Sequence, residues 1–509
     1  MQLRKEISKP ALLMTAVGGI IGSGWLLGPF YTAKIAGPAA IIAWLIGGLL
    51  MMIIALTFAE LATTYPVAGG IARFAQFSHG TLTSFTMSWI SWLAALMVAP
   101  IETMAAMQYA GNYFPALIVN ANGAHNLTHL GIFIAACLML LMCSVNFFSV
   151  KHFAKSNTVI VIWKLIIPVV TVFILFFCQF HLDNFTQPDG FAPFGWHSIL
   201  ASLPTAGVIF SFIGYSPAIQ LAEEAKNPQK AIPFAIIGSL CIAIILYIAI
   251  ETAFIGAINP KSISHGWQNL HFSNDAGPVA GLLTTFGITT WLTVIYADAI
   301  ISPLGTAYIY TASTARLNIA MSENGYFPSF MQKLNQHHVP WLAILINFTV
   351  GILFFLPFPG WQSMVSFLVS CFVLAYAVGP LSCAVLRKKQ PDIKRPFKLP
   401  MYHLCCFVAF YICNLIVFWT GFTIVWKMLV VICLGYAFLI IRTSMNKQAL
   451  DLTSSLWLFP YLSGMGLLSF LGSFGGINAI HFGYDFGVLL IYSLIIYWLA
   501  LQGGYMHKV

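Results

Sequence analysis

Charge is what this sequence has least of. Only 7% of its 509 residues are Asp, Glu, Lys or Arg, against about 25% in a typical soluble domain. Hydrophobic residues make up 59%. Such a surface cannot face water, so the chain reads as an integral membrane protein. Chemistry-bearing motifs are also missing. The ten cysteines sit in or at the ends of hydrophobic segments. They form no CxxC pair, and Cys405 and Cys406 are simply adjacent, so they read as packing residues. The thirteen histidines are scattered, and His337-His338 alone makes no metal site. GGIIGSG, Gly18 to Gly24, echoes a phosphate loop, but it lies inside an apolar segment with no lysine after it. No nucleophile triad is apparent. No catalytic residue, metal or cofactor is therefore expected, and a membrane enzyme is disfavoured.

What is present is a series of apolar runs of spanning length. Fourteen spans are read near 11–36, 39–63, 84–112, 128–148, 156–180, 199–222, 232–257, 277–312, 341–357, 362–386, 402–421, 424–442, 455–473 and 483–502. The first is too long and too broken by glycine for a signal peptide. With the N-terminus inside, the inner segments hold 19 basic residues, from Arg4, Lys5 and Lys9 to Lys508. The outer segments hold three: Lys34, Lys261 and Lys427. That asymmetry predicts a multi-pass protein of the plasma or inner membrane with both termini cytoplasmic. The net charge of +9 is then topology, not a nucleic-acid footprint. Asn126-Leu-Thr fits a glycosylation sequon, a weak match by itself. The basic loop RKKQPDIKRPFK, Arg387 to Lys398, divides a core over residues 1–400 from four further helices over 401–509.

Two spans are interrupted. Span one carries Gly22-Ser23-Gly24 at its middle, and span six carries SFIGYSP, Ser211 to Pro217. Glycine weakens a helix by about 1 kcal/mol per position. Proline removes a backbone donor. Each broken span opens a block of five, residues 1–181 and 199–387, and an odd number of spans inverts the second block relative to the first. Matched interrupted helices in inverted halves point to a transporter's binding site.

These residues resemble the amino acid–polyamine–organocation transporter family. GGIIGSGWLLGP resembles its first-helix signature. FAELATTYPVAGGIARFAQFSHG, Phe58 to Gly80, resembles its second helix and the loop after it. FSFIGYSPAIQLAEEAKNPQKAIPFAI, Phe210 to Ile236, resembles its sixth helix, and TASTARLNIAMSENGYFP, Thr311 to Pro328, the end of its eighth. VKHFAKSNTVIVIWKLIIP, GFAPFGW and LPFPGW look most like the branch containing a bacterial L-aspartate–proton symporter. The resemblance implies an all-α membrane protein with a five-plus-five inverted-repeat (LeuT-like) core, broken at helices one and six. It implies a secondary active transporter, or permease, of amino acids. Alternating access would be driven by a proton gradient as symport. An exchanger (antiporter) and a non-transporting amino acid sensor are the alternatives.

The physics of the breaks suits such a substrate. A helix starting after Gly24 aims free N–H groups at the gap, where a carboxylate fits. A helix ending near Phe212 to Gly214 leaves carbonyls for an ammonium. The resemblance assigns Gly22, Ser23 and Gly24 to the carboxylate, and Phe210, Ile213 and Gly214 to the amine, with Phe210 also a gate; Tyr215 is a further candidate for the pocket wall. Lys164 is a lone ammonium deep in span five, where charge is expensive and functional. It matches a lysine that, in proton-coupled members, takes the place of sodium. Glu102 and Asp298 lie within spans three and eight, to line the pocket, take a proton or pair with a buried base. Glu251 is expected at the outer interface. Some exchangers carry a glutamate where this chain has Ser216, so no proton role transfers there. Glu223 and Glu224 are either solvated or part of a gate with Lys226 or Arg73. The expected partners are an amino acid, protons and the lipid bilayer.

Overall fold

A computed structural model of the chain describes residues 5–121, 124–147, 150–272, 277–358, 360–446 and 452–506. Arg4, Lys447 and Lys508, which enter the charge asymmetry, lie outside the described residues. The protein is a helical bundle, and the one sheet among the described residues is a hairpin pairing Ile118–Ala121 with Ala124–Leu127. Each of the fourteen apolar segments falls on helix, but 277–312 holds two helices, Pro278–Thr285 and Thr289–Glu323, and the second runs beyond it. Ten helical runs are individually long and apolar enough to cross a bilayer, and the bent pair Gly195–Thr205 and Val208–Gln220 makes an eleventh. Three features account for the difference. The run Gly24–Thr64 joins the second half of span one to span two through a 3-10 turn at Gly37–Ala39. Spans four and nine, His129–Val145 and Trp341–Leu353, are helices of only 17 and 13 residues.

The first break falls where the glycines predict it. One helix covers Lys9–Ile20, the next begins at Gly24, and Ile21 to Ser23 between them are non-helical. Span six differs from expectation. The Gly214 region is only a 3-10 turn, Ile213–Tyr215, between the short helices Val208–Phe212 and Ser216–Gln220. The sharper bend, 49°, lies earlier, at Ala206 and Gly207. Gly207 has φ +94°, and a Cβ there would meet the Trp361 ring at 2.6 Å. The backbone turns at Gly207 because an indole occupies the space a side chain would need.

The two breaks press together. A Cβ on Gly19 would lie 2.5 Å from the carbonyl oxygen of Gly214, and one on Gly214 would run into the backbone of Gly19 and Ile20. On the side where the N-terminal segment lies, Ile7 pairs with Ala225 as a parallel bridge: Ile7 N–H donates to Glu224 O at 3.0 Å and Lys226 N–H to Ile7 O at 2.9 Å. The start of span one is thus stapled to the loop after span six. Glu224 is fully buried and paired with Arg316 at 2.8 Å, while Glu223 accepts the Ala68 N–H at 3.1 Å. Arg73 bonds Asn324 and pairs with Glu323 at 3.5 Å.

The basic loop after span ten is clamped rather than free. Arg387 makes a two-pronged contact with Glu60 of span two, whose carboxylate also takes the Leu399 N–H at 2.7 Å and lies 3.6 Å from Arg395. The trailing helices engage the core as well: Ser455 bonds Thr83, and Trp89 donates its indole N–H to Val431 O at 3.0 Å.

Candidate functional site

In hydrocarbon an unpaired backbone group costs several kcal/mol, so the first break must account for each of its polar groups. Its carbonyls are met by side chains from three other spans. Lys164 Nζ donates to Gly18 O at 2.6 Å and to the Thr306 hydroxyl at 2.7 Å. Thr306 Oγ1 lies 3.0 Å from Gly18 O and 3.2 Å from Ile21 O. Tyr247 donates its hydroxyl to Ile20 O at 2.9 Å. The donor side is met by an acid: Ser23 N–H donates to Glu102 Oε2 at 2.7 Å.

Gly22 makes this close approach possible. A Cβ on it would lie 2.5 Å from Glu102 Oε1 and 2.7 Å from Thr306 Oγ1. Gly24 faces Ser211 of span six with no room for a side chain. Lys164 and Glu102 are both fully buried, at 0% and 1% exposure. Two ionisable side chains, each costly to charge at this depth, therefore attach to opposite sides of one break: Lys164 to a carbonyl in the last turn of the first helix and Glu102 to the N–H at the start of the next.

The second break contributes Phe210, Ile213, Gly214 and Tyr215, all buried. Ile213 O lies 3.4 Å from the Tyr310 hydroxyl, and Tyr215 packs at 5.8 Å from the Tyr376 ring. Phe210 meets Trp361 edge-on at 5.9 Å. Trp361 in turn donates its indole N–H to Ser23 Oγ at 2.9 Å. The N–H and the hydroxyl of Ser23 are thus engaged by the protein itself, one by span three and one by span ten.

The structure separates the remaining acids from one another. Asp298 accepts from Trp163 Nε1 at 2.8 Å, Trp25 Nε1 at 3.1 Å and Ser302 Oγ at 2.6 Å. It ties span eight to span one beyond the break and to the residue preceding Lys164. Glu251, expected near the outer end of span seven, is fully buried among its neighbours, with Trp44 Nε1 donating at 2.8 Å and Trp44 stacked on Tyr247 at 4.5 Å. A carboxylate so deep needs a donor, and the indole supplies one. Sequence reasoning missed Thr306, Tyr247 and Trp361. A hydroxyl in an apolar run carries no signal by itself, since most bond their own helix; Trp361, in LPFPGW directly after a proline and glycine, was the legible one.

Comparison with known proteins bears on what the gap is for. A family model described as amino acid permease matches residues 7–441. The chain is similar to the glutamate/serine transporter AimA of Bacillus subtilis strain 168, at 36% identity over 99% of this chain and 95% of the relative. It is similar to the aspartate-proton symporter of the same organism, at 33% identity over 98% and 97%. The serine/threonine exchanger SteT, again from Bacillus subtilis, is 28% identical over 79% and 87%.

Proposed function

Because the chain belongs to the amino acid permease family, we propose that it carries an amino acid into the cell together with a proton, by alternating access around the paired breaks of spans one and six. The substrate's α-carboxylate takes the N–H groups at Ser23 and Gly24, where the helix N-terminus favours an anion. Its ammonium takes the carbonyls around Phe210 and Ile213, and Gly22 and Gly214 let it reach the main chain. Both termini face the cytoplasm, the first ten spans form the transporting core, and the last four helices stand outside it. The driving force is the proton gradient, with no bound cofactor.

One observation carries this reading: Lys164, buried, bridges Gly18 O and Thr306 at the place where spans one and eight meet. A donor is required there to satisfy the carbonyl of the broken helix, and an ammonium both supplies one and can lose its charge by releasing a proton. Glu102 is the second part. Its carboxylate holds the Ser23 N–H that the substrate carboxylate needs. A proton on Glu102 removes the competing charge and frees the donor, so substrate and proton enter together. The same step resolves how a site containing an acid accepts an anionic substrate. Relatives named for glutamate, serine and aspartate support small acidic amino acids, with serine, as the class carried.

The test is uptake of labelled aspartate, glutamate and serine into proteoliposomes with an imposed pH gradient. Accumulation against a concentration gradient when the inside is alkaline supports symport. Uptake that requires internal counter-substrate and ignores the pH gradient would establish an exchanger instead. Binding without either would leave a sensor.

A further inference from the structure

Trp361 is fully buried at 1% exposure and belongs to no role considered so far. It is the second residue of the helix Gly360–Tyr376 in span ten. Four contacts hold its ring. The indole N–H donates to Ser23 Oγ; the ring stacks on Tyr31 of span one at 5.7 Å and meets Phe210 of span six edge-on at 5.9 Å. Its far edge fills the notch at Gly207, where even a methyl group would come within 2.6 Å. One side chain of span ten thus closes the gap between both broken spans, at the hinge where span six bends by 49°.

The sidedness rests on the topology proposed above. Span ten then runs from outside to inside and begins at Trp361, while span six runs inward from Gly195 and reaches Gly207 before Phe210 and Ser211. The indole accordingly stands on the outer side of the breaks. We propose that Trp361 is the outer gate of this transporter: it latches to the Ser23 hydroxyl when the site is closed, and its withdrawal from the Gly207 notch opens the path from outside. Because the latch holds the same serine whose N–H is offered to the substrate carboxylate, opening the gate also releases the Ser23 hydroxyl toward the cargo. Trp361 acts here as a positioning residue, through Ser23 and Gly207.

The experiment needs no substrate, so it is independent of whether transport is proton-coupled. In a variant with the ten native cysteines replaced, Ser211→Cys serves as the reporter. Ser211 is 1% exposed, donates to Gly207 O at 2.8 Å and lies one helical turn further in. Its reaction with a membrane-impermeant thiol reagent is timed in right-side-out and inside-out vesicles. Trp361→Ala raises the labelling rate from outside by at least about tenfold, the scale set by losing a packed aromatic ring, and leaves the rate from inside unchanged. Trp361→Phe keeps the ring and loses the N–H; it raises the outside rate about fivefold, as expected for one neutral buried hydrogen bond. Trp361→Phe also keeps the bundle assembled if the alanine variant fails to fold. Wild-type rates from outside in the phenylalanine variant overturn the latch. An equal rise from both sides means general loosening and overturns the gate.

Discussion

Glu102 and Ser23 are joined by a 2.7 Å hydrogen bond in which the carboxylate accepts the backbone N–H at the start of a helix. A carboxyl group from span three therefore already sits at the position that the helix terminus offers to any carboxylate. Helix N-termini favour negative charge by up to about 2 kcal/mol when partly buried, and the protein uses that preference on itself.

Glu102→Gln keeps the size and the hydrogen bond through its amide oxygen but removes the charge. Substrate affinity in this variant should no longer vary with pH across the range where wild type does, because no competing charge has to be neutralised. The apparent KM for aspartate uptake, measured at several external pH values, gives the result directly. A pH profile parallel to wild type would count against Glu102 as a proton carrier.

Lys164→Gln should abolish accumulation driven by a pH gradient. Glutamine keeps a neutral donor on the same face, and Thr306 still reaches Gly18 O, so the bundle should fold, but glutamine cannot release a proton. Hydrogen bonds from charged groups contribute about 1.5–3 kcal/mol, so a loss of thermal stability of that order accompanies the change. Proteoliposome uptake with and without the gradient separates the two effects. Persisting pH-driven accumulation would remove Lys164 from the coupling mechanism.

Gly214→Ala should be far more damaging than Gly487→Ala. The new methyl at residue 214 runs into the backbone of Gly19 and Ile20, which has no rotamer to turn away. The methyl at residue 487, in the helix Tyr484–Met506, meets nothing within 4 Å, and alanine there gains about 1 kcal/mol of helix propensity. Detergent thermal-shift curves should show a large drop for the first variant and none for the second.

Arg316→Ala should destabilise the protein by about 3–5 kcal/mol, because it strands the buried Glu224 carboxylate. Arg73→Ala breaks a pair whose members are 26% and 40% exposed. Such exposed pairs contribute about 0–1 kcal/mol, so its melting temperature should stay near wild type. Comparable losses for both would mean that the Arg73 cluster is coupled more tightly than its exposure implies.

Much of this arrangement is legible in the residues alone. Gly22-Ser23-Gly24 marks a break because three non-helix-forming residues in an apolar run leave few other solutions, and the gap falls there. Lys164 stands out because a lone ammonium at mid-span has no inexpensive explanation. The bend at Gly207 was not legible. Its cause is the ring of Trp361, more than 150 residues away in the chain, and nothing near Gly207 distinguishes it from the many packing glycines. The burial of Glu251 was hidden for a similar reason: its partner is Trp44, a donor from span two. The fate of Glu223 and Glu224 was open because adjacent residues point differently, one to a backbone N–H and one to Arg316. Local pattern reports where the chain is weak; partners supplied from distant spans decide what the weakness does.

The bridge between Ile7 and Ala225 makes the segment ahead of span one a mechanical handle. A fusion partner, surface anchor or optical-trap linkage attached upstream of Glu6 pulls on a strand that is zipped to the far end of span six. Load applied there reaches both interrupted helices at once. Reporter proteins and affinity handles are therefore better carried after the last helix, where they leave that zipper slack.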